Sequence, residues 1–536
     1  MSKNIMLNFK KITLDDKKYF QDDKLQDFLL CDYCFTDLYM WQDMYNVELA
    51  YDEDTLYLRM MINGKKMYYP PITNDFKKAY NNLKKYCQKE NEELVFTCVT
   101  EQNKKYLMNS DSFIFEEVFN NEDYIYELEP LQSLKGKKYK QKRNMVNSFL
   151  SVYQNRYVIK DISDVSFDEI NFFLQKWFLA HDELESKEEE KAIFKAMNNR
   201  ENLGITGFAI YIDDQLEGFS MGSYFNCEFI VHFEKCNIDI HGLYQFVFYT
   251  MCNLVKAKFI NREEDLGLSG LRKAKLSYNP IKLEPSYNAF LKSNLQIEIK
   301  YAQEANIDVI KKMWNEAFES KEFDEYFFNN IFDIKNVLTY QINEKILGMV
   351  QLMFFDDWVY LYGATTALPF RGNMIMEHLI KNILQEYKNV VLIPASEDLF
   401  AYYSRFGFIK TSMMKKEKYL KKHDNVTLEI VYEDDLSFIL DCYQKRFVNA
   451  IPRNIEYYKK IMAYPNLIML KDQNNYAIVI DNTIVETNTY DNNFLDSILT
   501  TLKKDVMDVV FYGVGSPHAM VSSKKNEMYV NLLFEY

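Results

Sequence analysis

Three carboxylates and four cations fall within one short stretch, INREEDLGLSGLRKAKLSYNP at 260–280. Apolar residues at 259–261 read as a strand; Arg262, Glu263, Glu264 and Asp265 follow it. Gly267 and Gly270 then lead into a helix carrying Arg272, Lys273 and Lys275. Acids at a helix start can serve its dipole and its cap. They can equally supply a base for an attacking amine while the cations clamp an anionic leaving group. The stretch holds more polar residues than a cap needs, and both accounts stand. Glu264 and Asp265 are catalytic candidates on the second account, with Arg262, Arg272, Lys273 and Lys275 as candidates for binding a donor. Glu234 and Lys235 end another apolar run and add one catalytic and one binding candidate. His232 alternates with them and reads as core.

A second source of charge lies upstream. The segment LKGKKYKQKRNMVNSF at 134–149 sets Lys135, Lys137, Lys138, Lys140, Lys142 and Arg143 within nine residues. That density can form a phosphate-binding edge for tRNA backbone or a pyrophosphate, with Lys138, Arg143 and Asn144 as binding candidates. The other account is a solvated helix face that balances the acidic stretch at 116–129. The charge run HDELESKEEEK at 181–191 reads as a solvated loop or helix face.

The elements that must position these groups follow a recurrent pattern of strand, polar turn, strand, turn, strand and helix. In the first copy, 205–211 alternates into the turn Asp213-Asp214, the chain returns through 216–224, turns at Asn226 and runs out through 229–233. A helix over about 241–255 follows. A second copy runs from Val337 through the turn Asn343-Glu344 to 346–355, turns at Asp356-Asp357, and continues over 359–366 into a helix near Arg371 and a strand at 390–393. A weaker echo has strands at 476–480 and 484–487 and a helix over 494–502. Such self-similarity points to duplicated α/β modules with mixed sheets. Breaks near Tyr153, Leu295 and Lys421 divide the chain into four modules, 1–153, 154–294, 295–420 and 421–536.

At 536 residues with 48% apolar content, the chain can bury several cores. The aromatic share of 16% reads as packing first. A formal net charge of -14 excludes a surface that binds nucleic acid or anionic membrane over its whole extent. No apolar run reaches the roughly 18 residues of a spanning helix, and the start MSKNIMLNFKKITLDD has no signal-type apolar core, so a cytoplasmic location is expected. Eight cysteines are scattered along the chain; the Cys31 and Cys34 pair lacks a partner pair, and His241, His378 and His518 show no metal spacing. Reduced, mostly buried thiols and no metal are expected. A nucleophile elbow is not seen.

The blocks FTDLYMWQDMY at 35–45, LKGKKYKQKRNMVNSF at 134–149, VHFEKCN at 231–237 and INREEDLGLSGLRKAKLSYNP at 260–280 carry a family likeness. Through them, residues 1 to about 293 resemble the phosphatidylglycerol lysyltransferase C-terminal domain family in its soluble, stand-alone form, a fused pair of GNAT-like folds. The resemblance implies transfer of an activated aminoacyl or acyl group to an amine or hydroxyl acceptor. In the wider family the donor is an aminoacyl-tRNA and the acceptor a lipid headgroup. The sequence shows no counterpart of the membrane-embedded half of the lipid-modifying members, which tells against a lipid acceptor.

Downstream, YLYGATTALPFRGNMIMEHLI at 360–380, LIPASEDLFAYYSRFGF at 392–408 and IPRNIEYYKKIM at 451–462 resemble the tandem GNAT acetyltransferases of the enhanced intracellular survival kind. The resemblance implies that Thr366, Arg371, Gly372, Asn373, Met374, Ile375 and Met376 hold an acyl-CoA, backbone N–H groups at a helix start meeting its pyrophosphate. Met374 stands where the pattern has its key glycine. A side chain there is expected to cost about 1–3 kcal/mol, which is about tenfold to over a hundredfold in affinity. Tyr403 matches the tyrosine that acts as general acid toward the departing thiolate; it reads equally as a core residue with a wet hydroxyl. The sterol-carrier-like domain whose terminal carboxylate acts as base in those enzymes is missing, and Tyr536 does not inherit that role.

The leading expectation is therefore an α/β chain of repeated GNAT-like folds, four modules in two fused pairs, acting as an acyltransferase with a tRNA- or CoA-linked donor. Its most intact site is expected around Glu234, Glu264, Asp265, Arg272 and Lys275. Acetyl-CoA or another acyl-CoA is the expected cofactor of the second half. A small amine or hydroxyl acceptor and aminoacyl-tRNA are the expected partners, and DNA is not. Two rival readings are a non-catalytic assembly of degenerate GNAT folds and a catalytic second half served by a substrate-recruiting first half.

Overall fold

The computed structural model describes residues 7–20, 25, 29–108, 112–180, 186–318, 321–522 and 528–533. Two compact units divide the chain, Met1–Asn294 and Leu295–Tyr536. Among the described residues no helix is long and apolar enough to cross a membrane.

The first unit holds two seven-stranded sheets. One orders its strands 10–11, 48–52, 55–62, 65–68, 95–99, 287–291 and 113–117; the other orders them 282–284, 123–127, 259–261, 228–236, 215–225, 206–212 and 157–161. Sheet membership crosses residue 153 in both directions. Asp123–Glu127 lies beside Phe259–Asn261 in the second sheet, and Tyr287–Leu291 lies between Val95–Val99 and Phe113–Glu117 in the first.

The central hairpins form where alternation and turn residues place them. Strands Thr206–Ile212, Gln215–Phe225 and Glu228–Cys236 are joined by Asp213-Asp214 and by a turn at Asn226, all three at positive φ. Short polar side chains tolerate that conformation, and a two-residue turn with both φ values positive matches the strand twist. The pairing slips once. Met221 faces Phe233 and Gly222 faces Val231, so His232 is left over as a bulge. A Cβ on Gly222 would stand 1.9 Å from the Ile230 carbonyl oxygen, so only glycine lets the strands close up beside the bulge. The helix Leu243–Leu254 then buries Leu243, Phe246, Val247 and Met251 against this sheet.

The second unit is built on one twelve-stranded mixed sheet, ordered 297–301, 337–342, 345–355, 358–366, 390–392, 516–521, 409–420, 506–512, 483–487, 476–480, 467–471 and 429–430. Asn343 and Glu344 turn with positive φ. Ser516–Val521 inserts between Val390–Leu392 and Ile409–Leu420, so the sheet runs unbroken past residue 421. Aromatic residues pack the core, with Trp314 stacked on Phe327 at 4.4 Å. The helix at the weaker echo spans Asn492–Thr501, capped by Asp491.

Candidate functional site

A cavity of about 950 Å3 opens in the first unit. Its acid wall is built by the loop that leaves Phe259–Asn261 and by the start of the helix Phe35–Tyr45. Glu263 takes φ +54° and its N–H donates to Asn261 Oδ1 at 2.7 Å, which turns the chain so that Glu263 and Glu264 both face the cavity. Cys31, Asp32, Asp37 and His232 face it as well. Behind them lies buried Asp123, whose Oδ2 accepts from the Cys31 N–H at 2.7 Å and from Asn261 Nδ2 at 2.8 Å.

These carboxyls are crowded and poorly hydrated. Burial, then the charge of Glu264, lifts Asp32 to about 6. Burial, then Glu264 and Asp32, lifts Asp123 to about 8. Burial, then Glu263, pushes Asp37 up, and burial, then Glu264 and Asp123, pushes Glu263 up. His232 is fully enclosed: Nδ1 stands 2.7 Å from Glu263 Oε1 and 3.9 Å from Asp37 Oδ1, and Nε2 stands 2.8 Å from Ser223 Oγ.

Cations line the same cavity. Arg262 donates from Nη2 to Glu234 Oε1 at 2.8 Å and lies over the Phe248 ring at 4.1 Å. Arg262 Nη1 and Glu234 Oε2 are buried without partners. Lys142 sits 4.3 Å over the Tyr278 ring, and burial, then Arg262, lowers its ammonium to about 8. Lys275 donates to the carbonyl oxygens of Arg262 at 2.6 Å, Glu263 at 3.3 Å and Glu264, and burial lowers its pKa. Lys235 pairs with Glu189 at 2.8 Å and lies 3.9 Å over Trp177.

Of the sequence candidates, Glu234, Lys235, Arg262, Glu264 and Lys275 thus meet at one cavity. Asp265, Arg272 and Lys273 do not line it. Burial would raise Asp265, yet Arg272 Nε at 2.8 Å, the Tyr124 hydroxyl at 2.5 Å and the Gly267 N–H at 2.8 Å hold its carboxyl down to about 2. A carboxylate so well served is a brace for the loop and a poor base, and Arg272 spends its guanidinium on that brace and on Asn120. Arg272→Ala should therefore lower the melting temperature at pH 7 while leaving the cavity's own ligands in place; thermal unfolding followed by circular dichroism checks this.

The basic segment contributes less than its density suggests. Lys142, Val146 and Phe149 form the buried face of helix Lys140–Tyr153, so Lys142 alone of the six cations lines the cavity. Arg143 donates to the Leu134 and Gly136 carbonyl oxygens, and Lys138 and Asn144 are exposed. In the charge run, 181–185 lie outside the described residues. Glu189 is not simply solvated, since it pairs with Lys235 at the cavity.

In the second unit, Thr366 ends the strand Trp358–Thr366, and the turn Arg371, Gly372, Asn373, Met374 precedes helix Ile375–Glu386. Met374 takes φ +59° and is an exposed residue, so its cost lies in the left-handed backbone, about 1–2 kcal/mol, more than in overpacking. Asn373 and Ile375 are buried, Met376 is half-buried and Arg371 is exposed. Burial pushes the Tyr403 hydroxyl up to about 12, and its ring packs on Tyr402 and Phe408.

Sequence reasoning missed Asp32, Asp37, Asp123, Glu263 and the site role of His232. Asp37 sits in the first turn of its helix, where an acid reads as a dipole partner, and His232 sits in an apolar strand. The one signal for His232 was Gly222 in the facing strand, a mark of a bulge that re-aims a side chain.

Residues 26–290 match the family model described as "Phosphatidylglycerol lysyltransferase, C-terminal". A conserved protein of unknown function from Bacteroides thetaiotaomicron is 32% identical, with 54% of this chain and 100% of that chain covered and a TM-score of 0.50. A GCN5-related N-acetyltransferase from Kribbella flavida is similar at 8% identity over 43% of this chain and 71% of that one, with a TM-score of 0.36. An uncharacterized protein of Mycoplasmoides gallisepticum is 27% identical over 166 residues, 30% of this chain; the chain spans about half the length of that curated relative, 52%. Every residue lining the cavity falls inside the matched stretch. Through residues 26–290, the chain belongs to the phosphatidylglycerol lysyltransferase C-terminal family.

Proposed function

We propose that the first unit is an acyltransferase that moves an aminoacyl or acyl group from a tRNA-linked donor to an amine or hydroxyl acceptor. The observation that carries this reading is the meeting of cations and carboxyls at one cavity. Arg262, with an unpartnered buried Nη1, and Lys142 offer charge to donor phosphate, while Asp32 and Glu264 face an ammonium group. An aminoacyl ester of a nucleotide carries both charges on one molecule. Glu264 takes the proton of the attacking group, and Arg262 and Lys275 support the anion that develops. Such direct transfer draws most of its rate from positioning. A cytoplasmic location belongs to this reading, and the two seven-stranded sheets of the first unit fit a pair of GNAT-like modules.

Titration of the full-length chain with an aminoacyl-tRNA mixture at low and moderate salt tests the reading. Micromolar binding that weakens as salt rises supports it; no binding at low salt overturns it. Lys142 adds a pH signature. Its ammonium is protonated below about 8 and lost as pH rises through that value. Donor affinity should therefore fall about tenfold or more between pH 7 and pH 9, the worth of one charge-assisted contact. Lys142→Met should flatten that profile.

For the second unit we infer acetyl-CoA or another acyl-CoA at the turn Arg371–Met376, with Tyr403 facing the thiolate. Met374 also favours a second reading of this unit, a degenerate fold that binds a ligand or partner without turnover. Calorimetric titration with acetyl-CoA separates the two: micromolar binding supports the cofactor, and silence favours the degenerate fold.

A further inference from the structure

We propose that Asp37, His232 and Glu263 bind one divalent first-row transition-metal ion, of the Zn2+ or Mn2+ class, on the acid side of the cavity. One ligand atom from each of the three lies within 4.8 Å of the others. His232 Nδ1 is 2.7 Å from Glu263 Oε1 and 3.9 Å from Asp37 Oδ1. Ligand atoms at ~2.0–2.2 Å from a tetrahedral ion stand roughly 3.3–3.6 Å apart. The first distance must open by about 0.6–0.9 Å and the second close by about 0.3–0.6 Å, shifts within reach of side-chain rotation. The backbone need not move.

One tautomer of the imidazole is arranged for the ion. Ser223 Oγ, on the neighbouring strand, lies 2.8 Å from Nε2. In the tautomer protonated at Nε2 the ring donates to Ser223, and the Nδ1 lone pair turns toward two carboxylates. That is the usual arrangement of a metal-binding histidine, whose second nitrogen is held by an outer hydrogen bond. Lone pair and carboxylates repel unless a proton or a cation lies between them.

Two further observations stand outside the three ligands. The Tyr69 hydroxyl lines the same cavity, 1% exposed, and has no hydrogen-bond partner. Cys31, Asp123 and Glu264 form a neighbouring group whose ligand atoms also lie within 4.8 Å of one another. Lys275 is the cation bound to this loop, and its Nζ is engaged by backbone carbonyl oxygens. The acid wall therefore holds more carboxyl groups than its own cation can pair with.

One imidazole and two carboxylates suit Zn2+ or Mn2+ better than a thiolate-seeking ion. Three protein ligands on a cavity wall leave a fourth position open to a carbonyl or hydroxyl oxygen. The ligands come from three separate segments, so sequence spacing does not display them. This assignment goes beyond the proposed transfer and does not depend on which donor is used.

The test is calorimetric titration of chelator-treated full-length protein with ZnCl2 and with MnCl2, with metal content read by mass spectrometry. One ion per chain at micromolar affinity or tighter is expected. His232→Ala and Asp37→Asn should each weaken binding at least a hundredfold, and Ser223→Ala about tenfold to a hundredfold. Cys31→Ser should change nothing. Asp37→Asn decides the matter if His232→Ala fails to fold. No stoichiometric ion, or equal binding by Asp37→Asn, overturns the site; loss of binding in Cys31→Ser alone moves the ion to the neighbouring group and overturns it as stated. Aminoacyl-tRNA titration of the metal-free protein keeps the two readings apart. Donor binding without metal binding rejects the metal site alone, and metal binding without donor binding rejects the donor alone.

Discussion

Glu264→Gln should slow aminoacyl transfer by about 10²–10⁴-fold, the usual worth of a general base, while leaving donor affinity nearly unchanged. Glu234 faces the same cavity, but one of its oxygens is held by Arg262 at 2.8 Å, so its charge is answered. Asp265 is held at about 2 by Arg272, Tyr124 and Gly267 and does not line the cavity. Glu264 faces the cavity, and its backbone carbonyl, not its carboxylate, is what Lys275 binds. Gln keeps the size and removes the proton acceptor. Single-turnover kinetics with a charged tRNA and a general amine acceptor, set beside equilibrium donor binding, reads both quantities. An unchanged rate places the base elsewhere on the acid wall, and a parallel loss of donor binding makes Glu264 a positioning group.

Glu264 was legible because it shares one stretch of chain with Arg262 and Lys275, and a strand followed by polar residues and a helix fixes where such a stretch points. The same logic made the hairpins readable. Asp213-Asp214 and Asn343-Glu344 are turn pairs between alternating runs, and each takes the positive φ that such turns require. Alternation reports that a strand exists and which face is apolar, but it does not name the neighbour. The placement of Asp123–Glu127 beside Phe259–Asn261, and of Tyr287–Leu291 in the other sheet, therefore had no local signal. The acid wall depends on that placement, because Asp123 and Asn261 meet across it at 2.8 Å. Asp32 and Asp37 arrive from a third segment, and single acids near a helix start carry no mark of a site. In the basic segment, helical period and not charge density decided the outcome: Lys142 shares the buried face with Val146 and Phe149, while Lys135, Lys137, Lys138 and Lys140 are exposed.

Arg453→Ala should destabilise the second unit by about 3–5 kcal/mol, because it strands a buried charge. Arg453 and Glu486 are both 0% exposed at their side chains and meet through two contacts, Nη1 to Oε1 at 2.8 Å and Nη2 to Oε2 at 2.9 Å. Arg453 Nη2 also donates to the Asn531 carbonyl at 2.6 Å. The Tyr476 and Tyr529 hydroxyls and Asn531 Nδ2 donate to Glu486 at 2.7–2.9 Å. Removing the cation leaves Glu486 without its counter-charge in a dry core. The double variant Arg453→Met with Glu486→Leu removes both charges, and apolar replacement of a buried pair is often near neutral. Urea unfolding of the full-length chain, with a transition assigned to the second unit, compares the two. Equal losses in the single and double variants would show that packing, and not the stranded charge, sets the cost. The contrast with the first unit is chemical. Here Glu486 has all its strong bonds made inside the fold, so the network is a pin that fixes the segment around Arg453 and the residues near Asn531 to one hairpin. In the first unit, Arg262 and Glu234 each keep one buried atom without a partner on the wall of a large cavity. Arg453 also keeps one buried nitrogen, Nε, without a partner, but only the first unit's unpartnered atoms border the large cavity, and this is what supports proposing the transfer chemistry there.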